Sequence, residues 1–277
     1  VVDGNVQTGI DAQLRALDSG FAIVASFPEL RDKPIIIGES DPDGCAACSS
    51  TIYPQNGYRN GTLFASYTAA AMAHHYTLAE KHRVNLLGAV TWAFEFEDQP
   101  YFAGFRALST NGIALPVLNT FRMLGKMEGG WIQATSDAAV PIETMLKEGV
   151  REAPDVNAIA SLAPGRMSVF VWHHHDRDVP GPVAEIEIAI GGLRRRNGTA
   201  RLQHYRIDQE HSNSFTAWKR MGSPQRPSPR QIAALERAGE LATIAGDRSV
   251  RIRDGKLGIR LSLPRQGVSL LVVEWGR

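Results

Sequence analysis

Pro34-Ile35-Ile36-Ile37-Gly38-Glu39-Ser40-Asp41-Pro42-Asp43-Gly44 decides how this chain is read. Proline and three isoleucines lead into a glycine and one carboxylate, and a turn of Asp, Pro and Gly follows. A short, wholly apolar run bounded by turn signals predicts a strand buried on both faces, as in parallel sheets. A carboxylate at the C-terminal end of such a strand stands where (β/α)8 barrels gather their reactive side chains. Glu39 is therefore the first candidate for chemistry, as a nucleophile, and it calls for a partner acid.

Outward from this strand the grammar is that of βα repeats. Leu14, Leu17, Phe21, Ile23 and Val24 predict an amphipathic helix over 11–26. Leu63, Phe64, Tyr67, Ala70, Ala71, His74 and Leu78 form a helical stripe from Asn60 to about His82. Leu86-Leu87-Gly88-Ala89-Val90-Thr91-Trp92 reads as a second buried strand. Pro116 to Met127 reads as a helix, with Pro near its start and Gly129-Gly130 past its end. After Gly130 the pattern changes to short alternating strands at 167–172, 184–190, 200–207, 250–252, 257–263 and 268–275. One helix interrupts them, over about 229–242, behind a Ser228-Pro229 cap. The predicted class is α/β followed by all-β: the C-terminal part of a (β/α)8 barrel over residues 1–129 and an antiparallel β-sandwich over 130–277. Only two barrel strands are legible before Gly130, and two parallel strands alone leave apolar faces and open edges. The first segment thus reads as the closing quarter of a barrel whose earlier strands lie outside this chain.

The 277 residues carry a net charge of +1, with charges mixed along the chain rather than blocked. Arg194-Arg195-Arg196 precedes Asn197-Gly198, which suits a solvated hairpin tip better than a nucleic-acid contact. No apolar run reaches the ~20 residues of a helical membrane span. Neither a nucleic acid nor a membrane is expected as a partner. Val1-Val2-Asp3-Gly4 has no initiator Met and no signal-peptide pattern, so it reads as the inside of a longer protein and the compartment stays unassigned. Cys45 and Cys48 form a C-x-x-C without a second ligand pair; two free thiols or a local disulfide are expected ahead of zinc or redox chemistry. In His173-His174-His175-Asp176 only His173 and His175 share a strand face, so structural histidines are expected rather than a metal site. His74 and His75 lie in a helix and call for no function.

The stretches IIIGESDPDGC (35–45), TWAFEFEDQPYFAGFRALSTNG (91–112) and HYRIDQEHSNSFTAWKRMGSPQRPSP (204–229) resemble the C-terminal half of glycoside hydrolase family 39, the bacterial β-xylosidases more than the lysosomal iduronidases. The resemblance runs through nearly all of the chain. It implies a retaining mechanism on a (β/α)8 barrel with an appended sandwich, and it places Glu39 on the seventh barrel strand as the nucleophile. Trp92, ending the eighth strand, resembles the aromatic platform beneath the sugar, a role suited to a large apolar ring. Glu97 or Asp98 takes the place of an acidic residue that holds sugar hydroxyls. The family's acid/base is a Glu after an Asn near the end of the fourth strand, and no Asn-Glu pair occurs in this chain. Asp41 and Asp43 follow the same strand as Glu39 and are poorly placed to reach the opposite face of the sugar.

The resemblance thus implies a retaining exo-glycosidase, a β-xylosidase releasing xylose from xylo-oligosaccharides or aryl xylosides, with no cofactor and no metal. Within the family the alternatives are an α-L-iduronidase or an α-L-arabinofuranosidase. A uronidase needs a cation for the substrate carboxylate, and Arg106 is the one candidate nearby. Outside it stands a non-catalytic or sugar-binding fragment that needs an N-terminal segment or a second chain to complete the barrel.

Overall fold

A computed structural model describes residues 1–2, 5–244 and 246–276. Helix α1 (Ile10–Ser26) and a short α2 (Pro28–Arg31) lead to strand β1 (Ile35–Ile37). A 3₁₀ turn (Pro54–Asn60) precedes α3 (Thr62–His82), and β2 (Leu86–Ala89) follows. β1 and β2 pair in parallel, with Ile36 opposite Gly88 and Ile37 opposite Ala89, so β1–α3–β2 is one crossover unit. The pairing runs past the strand ends: Val90 N–H donates to Ile37 O at 3.0 Å and Ser40 N–H to Val90 O at 2.8 Å. Helix α3 is apolar on nearly every side, with Ala65, Ala69, Ala70, Ala71 and Ala73 all buried. A one-faced stripe was expected there; all-round burial marks an interior helix, and alanine lets its neighbours come close.

A small hairpin, β3 (Ser109–Thr110) and β4 (Ile113–Ala114), leads into α4 (Pro116–Leu124). Strand β5 (Gly130–Ile132), helix α5 (Ile142–Glu148), β6 (Asp155–Ala163) and β7 (Arg166–His174) follow. Next come β8 (Ala184–Ile190), β9 (Gly198–Ile207), α6 (Ser214–Arg220) and α7 (Pro229–Gly239), then β10 (Arg248–Ile252), β11 (Leu257–Leu263) and β12 (Val268–Glu274). Six strands form one sheet in the order β10-β9-β12-β7-β6-β5, and β11 pairs with β8 beside it. Met167, Val169, Val171, Leu271 and Val273 pack toward β8 and β11 through Ile190, Leu257, Ile259 and Leu263. The alternate residues Phe170, Trp172, Leu270 and Val272 pack toward α1, α3 and α4. That two-way division is the period-2 signature of a strand buried on both sides. Sequence patterning located β7 to β12 but passed over β5, β6, α5 and α6. β6 mixes Asn157 and Ser161 among apolar residues and shows no clean alternation.

The prediction that β1 is covered on both faces is corrected. Ile35, Ile37 and Leu86 pack into the core beneath, but Ile36 is 65% and Leu87 59% exposed. Val90, Trp92 and Phe94, past the end of β2, are largely exposed as well. The hydrophobic pattern reports what the strand is suited to, and no described residue covers that face.

Charged and polar groups tie the layers together. Asp176, fully buried, accepts from Thr8 Oγ1 at 3.0 Å, from Val150 N–H at 2.9 Å and from His174 at 3.4 Å. Burial pushes its carboxyl up, but these donors together hold it below the ordinary range. His75 and His204 are pushed down to about 4, chiefly by burial, so they fold neutral. An unfolded histidine titrates near 6.5. Between that value and about 4 the unfolded state binds more protons, so stability falls as the pH is lowered. We expect the unfolding free energy to drop by roughly 1.4 kcal/mol per pH unit for each of the two histidines over this window. His204→Gln should remove its share of the slope in urea titrations at pH 7.0, 6.0 and 5.0. A curve flat from pH 7 to 5 would exclude these histidines as the acid-sensitive groups.

Candidate active site

Glu39 stands one glycine past the end of β1, between the two backbone hydrogen bonds that join Ile37 and Ser40 to Val90. Its side chain is 52% exposed at the bare end of the parallel pair. One carboxyl oxygen accepts from Arg106 Nη2. Arg106 itself is only 2% exposed, and its other nitrogens reach Trp92 O at 3.0 Å and the carbonyl of Asp43. Its backbone is clamped as well: its N–H donates to Ala46 O at 3.0 Å and its carbonyl accepts from Ala93 N–H at 3.0 Å. One guanidinium therefore spans the loops that follow both strands and presents a single N–H edge, Nη2, to Glu39 from a rigid seat.

Asp41 lies beneath this contact with a side chain 2% exposed. It accepts from Thr91 Oγ1, from Trp92 N–H at 3.2 Å, and lies 3.6 Å from Arg106 Nε. Burial raises its pKa, opposed by the Thr91 hydroxyl and the Arg106 charge. Asp41 thus holds the tip of β2 against the tip of β1. Behind Glu39, Ser40 Oγ accepts from Gln13 at 2.6 Å and lies 3.3 Å from His75 Nε2. The neutral His75 can accept there, which anchors the residue beside Glu39 to α3.

The loop after Glu39 is braced by a second arginine. Arg59, buried, reaches Asp43 and the carbonyls of Cys45 at 2.9 Å, Cys48 at 3.2 Å and Gly104 at 3.2 Å. Tyr58 donates to the same Asp43 carboxylate at 2.5 Å. Cys45 and Cys48 are bonded to each other, the local-disulfide alternative of the sequence reading. Gly104 sits at φ +71°, where a Cβ would lie 2.6 Å from that of Ser50, so the approach of the two loops requires glycine there.

Glu39 and Trp92 meet through Arg106, and the Trp92 ring is exposed, edge-on to Phe96 at 5.6 Å. Glu97 and Asp98 follow on an exposed loop; neither carboxylate has a hydrogen-bond or ion-pair partner among the described residues. Glu95 is spent differently, accepting from Ser109 Oγ and, at 2.9 Å, from Gly112 N–H to close the β3–β4 hairpin. The segment before α7 packs on this loop: Phe215 and Trp218 lie 5.6 and 4.8 Å from Phe102, and Gln225 exchanges two hydrogen bonds with Tyr101. The histidine run is distributed among separate partners. His173 Nδ1 donates to Leu263 O at 2.9 Å, His174 Nδ1 lies 3.1 Å from Ser66 Oγ, and His175 Nε2 donates to Arg151 O at 3.0 Å. Sequence reasoning weighed Arg106 only as a carboxylate receptor and set Asp41 aside. No local signal names either role, because the burial of Arg106 and its approach to Glu39 and Asp41 exist only in the fold.

Residues 10–256 match the profile of Glycosyl hydrolases family 39. The chain belongs to that family. It is 25% identical over 142 residues to a β-xylosidase of Caldicellulosiruptor saccharolyticus, a match covering 51% of this chain and 26% of that protein. The family 39 enzyme from Xanthomonas axonopodis pv. citri superimposes with a TM-score of 0.68 at 20% identity, over 93% of this chain and 48% of that one. A bacterial orthologue of human α-L-iduronidase gives 0.74 at 18% identity, over 95% of this chain and 46% of that one. These structural likenesses carry the fold, and this chain spans about half the length of those solved relatives.

The Asp43–Arg59 pair yields a direct test of how the loop is held. Asp43→Ala leaves a buried guanidinium with carbonyls alone and should destabilise the chain by roughly 3 kcal/mol. Glu97→Ala, removing an exposed and unpartnered carboxylate, should stay within about 0.5 kcal/mol. Urea unfolding of the two variants side by side checks this, and equal midpoints would show that Arg59 does not depend on Asp43.

Proposed function

We propose that this family 39 chain is the C-terminal portion of a retaining exo-β-xylosidase, with residues 1–129 closing a (β/α)8 barrel and residues 130–277 forming its sandwich. The observation that carries the reading is Glu39, at the C-terminal end of a parallel strand, half exposed on a bare apolar face and gripped by the buried Arg106. Glu39 acts as the nucleophile. A carboxylate oxygen attacks the anomeric carbon as the bond to the leaving oxygen breaks, and a second carboxylic acid protonates that oxygen. The same second group then takes a proton from water, whose oxygen displaces Glu39 and frees the sugar with its configuration retained.

That second group must stand about 5–5.5 Å from Glu39 across the anomeric carbon. Asp41 is buried and committed to Thr91 and Trp92. No Asn-Glu pair exists in the sequence. The acid/base is therefore supplied by a segment preceding these residues or by a second chain, docked on the open β1–β2 pair. Trp92 offers its exposed ring to the apolar face of the sugar. Glu97 and Asp98, with free carboxylates one loop away, hold hydroxyl groups. A pentose fits better than a uronate, because Arg106 is already spent on Glu39 and two carbonyls.

Joined to the segment that brings the acid, the chain should hydrolyse aryl β-xyloside in preference to aryl α-L-iduronide and release β-xylose, read by proton NMR before mutarotation. A 2-deoxy-2-fluoro xyloside should add one sugar mass to the peptide containing Glu39, and Glu39→Ala should lower turnover by roughly 10⁴-fold or more. Inverted product, or a label on another residue, would refute the assignment. The isolated chain and its Glu39→Ala variant should both turn over at background rate; a strong difference between them would place a complete site within these residues.

A further inference from the structure

We propose that the end of the sandwich formed by residues 191–197 and 251–256 is an accessory surface for a carboxylate-bearing polysaccharide. Charges that look mixed residue by residue are segregated by region. Residues 191–260 hold 15 Lys and Arg against 6 Asp and Glu, whereas residues 1–190 hold 13 against 22. The fold gathers much of the excess in one place. The loop 191–197 and the turn 253–256 are laced together: Leu193 N–H donates to Gly255 O at 3.1 Å, Gly255 N–H to Arg196 O at 2.7 Å, and Asp254 N–H to Asn197 Oδ1 at 3.1 Å. This brings Arg194, Arg196, Arg253 and Lys256 side by side. Arg251 joins them from β10, where it stands opposite Thr199 of β9.

All five side chains are exposed, and none forms an ion pair among the described residues. Other sandwich arginines are spent: Arg201 on Asp247 at 2.7 Å, Arg260 on Glu187 at 3.1 Å, and Arg195 on Gly276 O at 2.8 Å. A hairpin tip needs polar residues but not five exposed cations against the one carboxylate of Asp254, and like charges on adjoining turns repel unless an anion joins them. Beside the cluster, along β9 and β10, runs an open cleft of about 440 Å³ bordered by Thr199, Arg201, Arg248 and Ser249, with Asp247 and Glu274 on its rim. Arg201 is held there by Asp247 and Glu274, which leaves the Arg248 guanidinium and the Thr199 and Ser249 hydroxyls for a chain that alternates sugar hydroxyls with carboxylates.

Residues 186–203 and 246–260 contain no aromatic side chain, so the surface has no platform on which nucleic-acid bases could stack. The choice of a glycan among polyanions rests on the proposed glycosidase reading; the anionic preference does not. The loops around Glu39 carry Asp41, Asp43, Glu95, Glu97 and Asp98 as well, which would repel the same polymer.

The test compares this chain with an Arg194→Ser/Arg196→Ser/Arg253→Ser variant and with a Lys147→Ser control, each checked for an unchanged far-UV spectrum and melting temperature. Retardation in gels containing polygalacturonate, neutral xylan or nothing, and titration with duplex DNA, report binding at about 50 mM and about 500 mM NaCl. The proposal expects retardation by polygalacturonate but not by xylan, lost at high salt, weakened about tenfold in the triple variant and unchanged in the control. Undiminished binding by the triple variant, no binding of polygalacturonate, or tighter binding of duplex DNA would each overturn it. If the triple variant melts early, Arg251→Ser and Lys256→Ser singly are expected to weaken binding in the folded chain, and no effect of either counts against the surface. A chain without glycosidase activity that still binds polygalacturonate through these arginines would remove the catalytic reading alone.

Discussion

The six-stranded sheet is apolar on both faces, and each face has to be covered. β8 and β11 lie against one; α1, α3 and α4 lie against the other. Sealing the second face demands a helix with almost no polar side, which is why α3 carries a run of buried alanines rather than one hydrophobic stripe. Since α3 is also the crossover between β1 and β2, that packing fixes where the parallel pair sits. A two-stranded sheet is marginal in isolation. Here it is held from beneath, by Ile35, Ile37 and Leu86 against the α3 layer. The candidate site therefore depends on the sandwich, although no sandwich strand contributes a side chain to Glu39.

The site itself depends on one cation. Arg106 binds Glu39 through its side chain while its backbone joins the loop after β1 to the strand end after β2. A guanidinium seated among carbonyls has few rotamers left, so the carboxylate it holds is positioned before any substrate arrives. Asp41 and Asp43 serve the same end at one remove. Asp41 ties the strand tips, and Asp43 lends its carbonyl to Arg106 and its carboxylate to Arg59. Three acids within five residues thus have three different tasks, separated by burial and by partner.

How far this was legible in the amino-acid sequence follows from the range of each signal. Helix α1, the strands β1 and β2, α3, α7 and most of the sandwich strands announce themselves through periodicity and caps, which are local. The Ser228 cap is one such case, legible from Ser-Pro; the structure adds the reciprocal bond with Gln231 that completes a capping box. β5 is three residues long and β6 carries polar residues where its partner strands, not its own pattern, decide the pairing. Glu39 stands just past a strand end and could be singled out by position, whereas Trp92, three residues beyond β2, is named by the family resemblance. Arg106 could not be singled out: its contact with Glu39 spans 67 residues of chain and exists only once the two loops meet at Gly104. The bare face of β1 was equally out of reach, since a hydrophobic pattern records the covering a strand is suited to and not whether these residues supply it.

That bare face and the held carboxylate bear on each other. In a two-carboxylate mechanism the nucleophile and the acid/base must be placed independently, one on each side of the sugar, and then kept apart by a defined distance. On the proposed reading, this chain does the first of these without help from the second: every contact that orients Glu39 comes from residues between Gln13 and Arg106. What a completing segment has to bring is then limited to a cover for Ile36, Leu87 and Val90 and a single acid opposite Glu39. The apolar strip supplies the driving force for that association, and strand edges on both sides of the pair supply its register. On that reading the ion pair and the backbone clamps close on themselves, and the chemistry waits on the second acid.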